Sequence, residues 1–398
     1  MIPREKYLEN LIRFKDKQLI KVVTGVRRCG KSTLFELYQE YLLSHGVEQE
    51  QICTYNLEAG EYMDIIDGKS LYRLVNENLI TDKMNYIFLD EVQRVADFQK
   101  AVDALFVKKN CDVYITGSNA YLLSGELATL LSGRYVEIKM LPLSFKEYVW
   151  AQTGDISEER MYQDYIYNSS FPYALALNET KDVQQYLEGI YDSIILKDVI
   201  ARKRIYDLDM LKSVARFLFD NIGNLCSTKK IADTMTSAGR KITVHTVENY
   251  LQSLTESFVF YKAGRYDIKG KQYLKTGDKY YAVDMGLRYH VLGSKKADDG
   301  HILENVVYLE LLRRGYDVYI GKVGNAEVDF IAVNAEGEEY YQVAYTVKDV
   351  DGKTLERELA PLNAIKDHNP KYLLTMDYGP VVSHNGIRQL YVLDWLLK

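Results

Sequence analysis

No stretch of about 18 consecutive apolar residues occurs in this chain of 398 residues, so no membrane-spanning helix is expected. The opening residues, Met1-Ile2-Pro3-Arg4-Glu5-Lys6, lack the apolar run of a secretory signal, and a cytoplasmic location is the expectation. Cysteine is scarce. Cys29, Cys53, Cys111 and Cys226 stand far apart, which excludes a disulfide framework and a zinc-ligand pattern and leaves cytosolic thiols. Internal repeats and long polar tracts are also missing, so no segment reads as extended disorder.

With 47% apolar residues the chain has ample material for packed cores, and its length predicts more than one domain. The net charge of −6 is uneven: residues 201–279 carry 15 Lys/Arg against 8 Asp/Glu, a local +7 in a remainder of −13. A basic block in an acidic chain points to a polyanion site or to a solvated face.

The sharpest pattern lies near the start. Residues 19–24, Leu-Ile-Lys-Val-Val-Thr, form a short β-branched run that predicts a buried strand. Gly25-Val26-Arg27-Arg28-Cys29-Gly30-Lys31-Ser32 fits G-x-x-x-x-G-K-[ST], and from Thr33 onward the apolar spacing is helical. Two glycines let successive backbone N–H groups turn inward onto an anion, and the helix N-terminus adds positive potential. Residues 25–33 are therefore the expected ATP cradle. Lys31 reaches the β- and γ-phosphates, and Ser32 is a ligand for Mg²⁺. Cys29, inside the loop, would sense oxidants only if its thiolate were accessible.

Three further strand ends complete the expectation. Tyr86-Ile87-Phe88-Leu89 runs into Asp90-Glu91, where Asp90 would hold the Mg²⁺ and Glu91 would activate the attacking water. Residues 112–116 lead into Gly117-Ser118-Asn119, where Ser118 or Asn119 would sense the γ-phosphate, or simply cap a turn. Gly133-Arg134 precedes a strand at 135–140. Arg134 reads as a charge-stabilising arginine, in cis or across a subunit interface, or as a surface arginine.

Together with Leu141-Pro142-Leu143-Ser144-Phe145, these motifs resemble a prokaryotic AAA-like ATPase family whose members carry a C-terminal domain of unknown function. The resemblance covers nearly the whole chain. It implies an α/β P-loop NTPase fold with a doubly wound parallel sheet ordered 5-1-4-3-2 and a catalytic glutamate on the Walker-B strand.

Beyond the core, 1–143, the expected divisions are a helical lid over 144–206, a winged helix-like domain over 207–292 and a small α/β domain over 293–398. Three apolar-periodic helices followed by a basic hairpin resemble a winged helix-turn-helix. Lys229, Lys230, Arg240, Lys241, His245, Asn249, Lys269 and Lys271 are then candidate DNA contacts, with Gln252 and Ser253 on the same polar side. Helix, strand and hairpin at the end resemble a restriction-endonuclease core. Glu304, Asp329 and Gln342 occupy its acidic positions, but Ala344 stands where its lysine belongs, so an inactive, degenerate nuclease site is expected.

The functional expectation is a Mg²⁺-dependent ATPase that couples nucleotide state to DNA or to a protein partner, with homo-oligomers open. The rival readings are an ATP-gated DNA-binding regulator with little turnover and an ATP-gated nuclease.

Overall fold

The computed structural model describes the chain except residues 119–132, 201–204, 206, 294–297 and 350, and the side chains of 197, 198, 200, 275 and 276. It forms two compact units, residues 1–142 with 256–258, and residues 143–255 with 259–398.

The first unit is built on strands β1 (Ile20–Thr24), β2 (Ile52–Asn56), β3 (Asn85–Asp90), β4 (Cys111–Gly117) and β5 (Tyr135–Lys139). Their order is β2-β3-β4-β1-β5 and every pairing is parallel, which is the order the family resemblance implied. All positions of β1 and β3 are buried, as a parallel sheet covered on both faces requires. On one face Val22, Ile87, Leu89, Val113 and Ile115 meet Leu71 and Val75 of helix Gly68–Glu77 and Val102 and Leu105 of helix Phe98–Phe106. On the other, Phe35 and Tyr38 of helix Lys31–Ser44 pack edge-on and tilted against Phe88 and Tyr114, at ring centroid distances of 5.1 and 5.2 Å.

One polar cluster sits inside this aromatic layer. Lys21 forms a fully buried ion pair with Asp112, whose Oδ2 also accepts from the Tyr114 hydroxyl at 2.7 Å and the Asp16 N–H at 2.9 Å. Burial lowers the Lys21 pKa and raises that of Asp112, each towards its neutral form.

The register brings the strand ends level. Thr24 of β1 is opposite Gly117 of β4, Leu89 of β3 is opposite Ile115, and Asn56 of β2 is opposite Asp90. The loops that leave β1, β3 and β4 therefore emerge at one edge.

The second unit contains helices Phe145–Ala151, Glu158–Asn168 and Thr180–Ser193, then Leu208–Asp220, Thr228–Ser237 and Val244–Glu256. Its sheet has nine strands among the described residues: β6 (Leu225–Cys226), β7 (Phe260–Asp267), β8 (Gln272–Ala282), β9 (Asp317–Val323), β10 (Ala326–Asn334), β11 (Gly337–Ala344), β12 (Lys371–Thr375), β13 (Val382–His384) and β14 (Ile387–Tyr391). The order is β13-β14-β12-β11-β10-β9-β7-β8-β6.

This sheet corrects the expected boundary at 292/293. Strand β7 of the hairpin pairs in parallel with β9 through Arg265–Asp267 and Ile320–Lys322, so the hairpin and the C-terminal strands share one sheet. The hairpin is also longer than the expected strands around 258–261 and 280–283. The boundary at 206/207 is bridged too. Asp284 is buried, accepts from Ser170 N and Oγ at 2.7 Å each and caps helix Met285–Leu292 through Leu287 N–H at 2.7 Å, while Arg288 Nε donates to the Phe219 carbonyl at 2.9 Å. Long-range pairing of this kind leaves no local signal in the sequence.

Replacing Asp112 by Ala strands the buried Lys21 charge. The expected loss of stability is about 3–5 kcal/mol, and the Lys21→Met/Asp112→Leu double variant should recover most of it. Urea unfolding reads both; an Asp112→Ala loss under about 1 kcal/mol would show that the pair does not anchor the sheet.

Candidate nucleotide-binding site

The loop 25–30 joins β1 to helix Lys31–Ser44. Gly25 lies against the chain that leaves β5: a Cβ there would collide with the Met140 carbonyl oxygen. Gly30 has φ 101°, a left-handed backbone that favours glycine, directly before the first helical residue. Buried Arg4, which sequence reading did not single out, braces the loop from outside. Its guanidinium donates to the Cys29 carbonyl at 3.0 Å and the Leu141 carbonyl at 2.6 Å.

Lys31 is buried, with Nζ 3.2 Å from the Gly25 carbonyl, 3.4 Å from the Val26 carbonyl and 3.6 Å from Glu91 Oε1. Ser32 Oγ donates to Asp90 Oδ2 at 2.6 Å. Thr116 Oγ1 donates to the other Asp90 oxygen and accepts from Glu91 N–H at 2.9 Å. Glu91 itself takes φ 53°, a left-handed conformation that a non-glycine residue holds only when its surroundings enforce it. Ser118 is fully buried, and Gln93 Nε2 lies 3.3 Å from its hydroxyl. Beyond this core, Arg27 lies 3.7 Å from Glu58, which also pairs with Arg94.

Lys31, Ser32, Asp90, Glu91 and Ser118 thus converge at one sheet edge. Their chemistry is one cation beside the loop, two hard oxygen donors in contact, and a carboxylate beside them. Asn119 lies outside the described residues.

Comparison with known proteins follows the same division. Residues 17–149 match the family model of the AAA domain, and residues 159–298 match a domain of unknown function (DUF8612). An uncharacterized protein of Haemophilus influenzae is 45% identical over 402 residues, covering 100% of this chain and 99% of that protein. The chain belongs to the family of that Haemophilus influenzae protein. An uncharacterized protein of Methanocaldococcus jannaschii is 29% identical over 364 residues, 87% of this chain and 79% of its own. The Walker-type ATPase of Pyrococcus abyssi is similar in structure, with TM-score 0.50 and 14% identity, covering 73% of this chain and 96% of that one. The N-terminal unit is an AAA-like P-loop domain.

Two further residues of this unit are placed by the structure. Arg134 does not join the site. Its carbonyl accepts from Ile20 N–H at 2.8 Å, at the opposite end of β1, roughly 16 Å from Gly25 at ~3.3 Å per strand residue. Its side chain pairs with Asp103 at 2.7 Å. Cys29 is fully buried, and burial raises its thiol pKa, so its thiolate is suppressed rather than poised for oxidation.

In the second unit all eight candidate DNA-contact residues are exposed: Lys229 and Lys230 on helix Thr228–Ser237, Arg240 and Lys241 just after it, His245 and Asn249 on helix Val244–Glu256, and Lys269 and Lys271 at the hairpin turn. Arg240 is tethered, donating to the Asp209 carbonyl at 3.0 Å and Ser213 Oγ at 2.8 Å. His245 Nδ1 lies 3.8 Å from Glu248. Ser253 is buried and bonds its own helix, so it leaves the polar side. Not every lysine of the basic block faces solvent, because Lys279 of β8 points inward.

That lysine reaches the acidic cluster. Its Nζ is 3.0 Å from Glu304 Oε1 and 2.9 Å from Glu327 Oε1, and the Tyr281 hydroxyl donates to Glu304 at 2.6 Å. Asp329 Oδ2 accepts from Val343 N–H at 2.8 Å, and Gln342 Nε2 donates to Glu358 at 2.9 Å. Burial, then the Glu304 charge, raise the Asp329 pKa well above the usual carboxylate range. Against the penalty of burial, Glu304, Asp329 and Glu327 hold the Lys279 pKa above the ordinary lysine value. Among the described residues no group of three or more His, Cys, Asp or Glu is arranged to hold a metal ion. An ammonium group thus neutralises this cluster, supplied by a strand 65 residues before the Ala344 position.

Alkylation of the folded protein should spare Cys29 while the partly exposed Cys111 reacts, as read by mass spectrometry of labelled peptides; rapid labelling of Cys29 would contradict its burial. Lys279→Met should cost about 3–5 kcal/mol in urea unfolding, because it leaves buried carboxylates without their cation. A neutral outcome would remove Lys279 from the list of structural anchors.

Proposed function

We propose that this protein is a Mg²⁺-dependent ATPase that converts ATP to ADP and phosphate. The observation that carries the reading is the connected set Ser32–Asp90–Thr116–Glu91–Lys31, which joins all parts of a phosphoryl-transfer site through direct contacts.

The oxygens of Ser32 and Asp90 are the hard donors that Mg²⁺ prefers, and they already touch. When bound, the metal supplies charge neutralisation at the β- and γ-phosphates. The backbone N–H groups of residues 25–33 and the ammonium of Lys31 bind and orient the triphosphate. Glu91 accepts a proton from the attacking water, and Thr116 holds its backbone in place. Ser118, with Asn119, reports the γ-phosphate. Arg134 is too far from the loop to act within one copy, so any contribution to turnover would be made across an interface between copies.

Nucleotide state is coupled, in this reading, to DNA bound by residues 207–292. A helix, a short strand, two further helices and a long hairpin, in that order, support a winged helix, and the exposed Lys229, Lys230, Lys241, Lys269 and Lys271 suit phosphate contact. The acidic cluster around Lys279 is read as structural, and no cleavage is assigned to it.

Glu91→Gln should bind ATP with near-normal affinity and lose turnover by at least about a hundredfold, while Lys31→Ala should lose nucleotide binding. Turnover measured with and without duplex DNA decides the coupling. Stimulation that weakens steeply with salt supports contact at the basic surface; a response flat in salt excludes it, and full Glu91→Gln turnover would remove Glu91 as the base.

A further inference from the structure

Gln93, two residues beyond Glu91 in the short helical turn Val92–Arg94, touches two functional groups at once. Its Nε2 donates to Glu91 Oε2 in a short contact and lies 3.3 Å from Ser118 Oγ. The orientation of the amide is set by chemistry: a carboxylate only accepts, so the nitrogen must face Glu91. The amide oxygen, Oε1, is buried and has no hydrogen-bond partner among the described residues. An unpaired buried acceptor is costly, and a side chain serving packing alone would be better replaced by an apolar one of the same shape. The other Glu91 oxygen, Oε1, faces Lys31 at 3.6 Å. Glu91 is therefore held between the phosphate-binding lysine and an amide that also contacts Ser118.

We propose that Gln93 is a positioning residue that couples Ser118 to Glu91, so that contact of Ser118 with the γ-phosphate and the orientation of the base are set through a single amide. The inference rests on the ATPase reading. When phosphate takes the Lys31 ammonium, the Gln93 amide is the contact that remains to aim the Glu91 carboxylate.

The test is ATP turnover with kcat and KM separated, together with fluorescent-nucleotide affinity, for wild type, Gln93→Leu, Gln93→Glu and Glu91→Gln. Gln93→Leu should leave nucleotide Kd within about twofold, which also shows that the variant folds. Its kcat should fall by about ten- to a hundredfold, the loss of one hydrogen bond to a charged group. Gln93→Glu, of nearly the same shape, places a second carboxylate beside Glu91 and should lower kcat at least as far, again without a matching change in nucleotide Kd. Turnover unchanged in both variants, or a loss confined to KM, would overturn the role of Gln93 while leaving the ATPase reading intact if Glu91→Gln is inactive. A wild type without turnover would overturn both.

Discussion

The parallel register of β1, β3 and β4 is the constraint on which the functional site depends. Parallel strands point their carboxyl ends the same way, and the pairings of Thr24 with Gly117 and Leu89 with Ile115 leave those ends level. Three loops separated by some sixty and then some thirty residues in sequence thereby share one edge. Anchoring that register is a task for the interior, where the Lys21–Asp112 ion pair joins β1 to β4 within the aromatic layer of Phe35, Tyr38, Phe88 and Tyr114. Charges buried this way contribute little net stability, but they penalise any register that would separate them.

At the edge itself the polar groups form a chain rather than a list. Thr116 touches the metal-ligand candidate Asp90 with its hydroxyl and fixes the backbone of Glu91 with the same oxygen. The left-handed backbone of Glu91 is tolerable because that contact and the following turn enforce it. Arg4 does a similar job for the loop, tying the Cys29 carbonyl to the chain that leaves β5.

The second unit uses a sheet differently. Its hairpin and its C-terminal strands are continuous through β7 and β9, and the ammonium of Lys279 is carried across that continuity to Glu304 and Glu327. The buried Glu304 carboxylate is consequently paired with an internal cation, and the same contact fastens the hairpin to helix Asp299–Arg313. The basic character of residues 201–279 is thus partly spent inside the protein, while among the described residues helix Thr228–Ser237, the segment after it and the hairpin turn carry exposed lysines and Arg240, with Arg216 and Lys262 exposed elsewhere.

By itself the sequence determined the P-loop, the Asp90-Glu91 strand end and the Ser118 strand end, because each is a local pattern: a glycine spacing, or an apolar run that stops at polar residues. Period and motif need no knowledge of what lies across the sheet, and the strands at 20–24, 52–56, 85–90, 111–117 and 135–139 were legible for that reason. What only the tertiary structure decided is pairing. Arg134, a candidate from its chemistry alone, precedes a strand that neighbours β1 and lies at the end of it opposite the loop. Gln93 and Thr116 lie within the strand-end motifs but, like Arg4, were given no role from sequence and gain theirs from contact. Lys279, which meets Glu304 and Glu327, comes from a strand that sequence alone assigned to a different domain. Hydrogen-bonded neighbours in a sheet are chosen by burial and register across the whole chain, and no short stretch of residues encodes that choice.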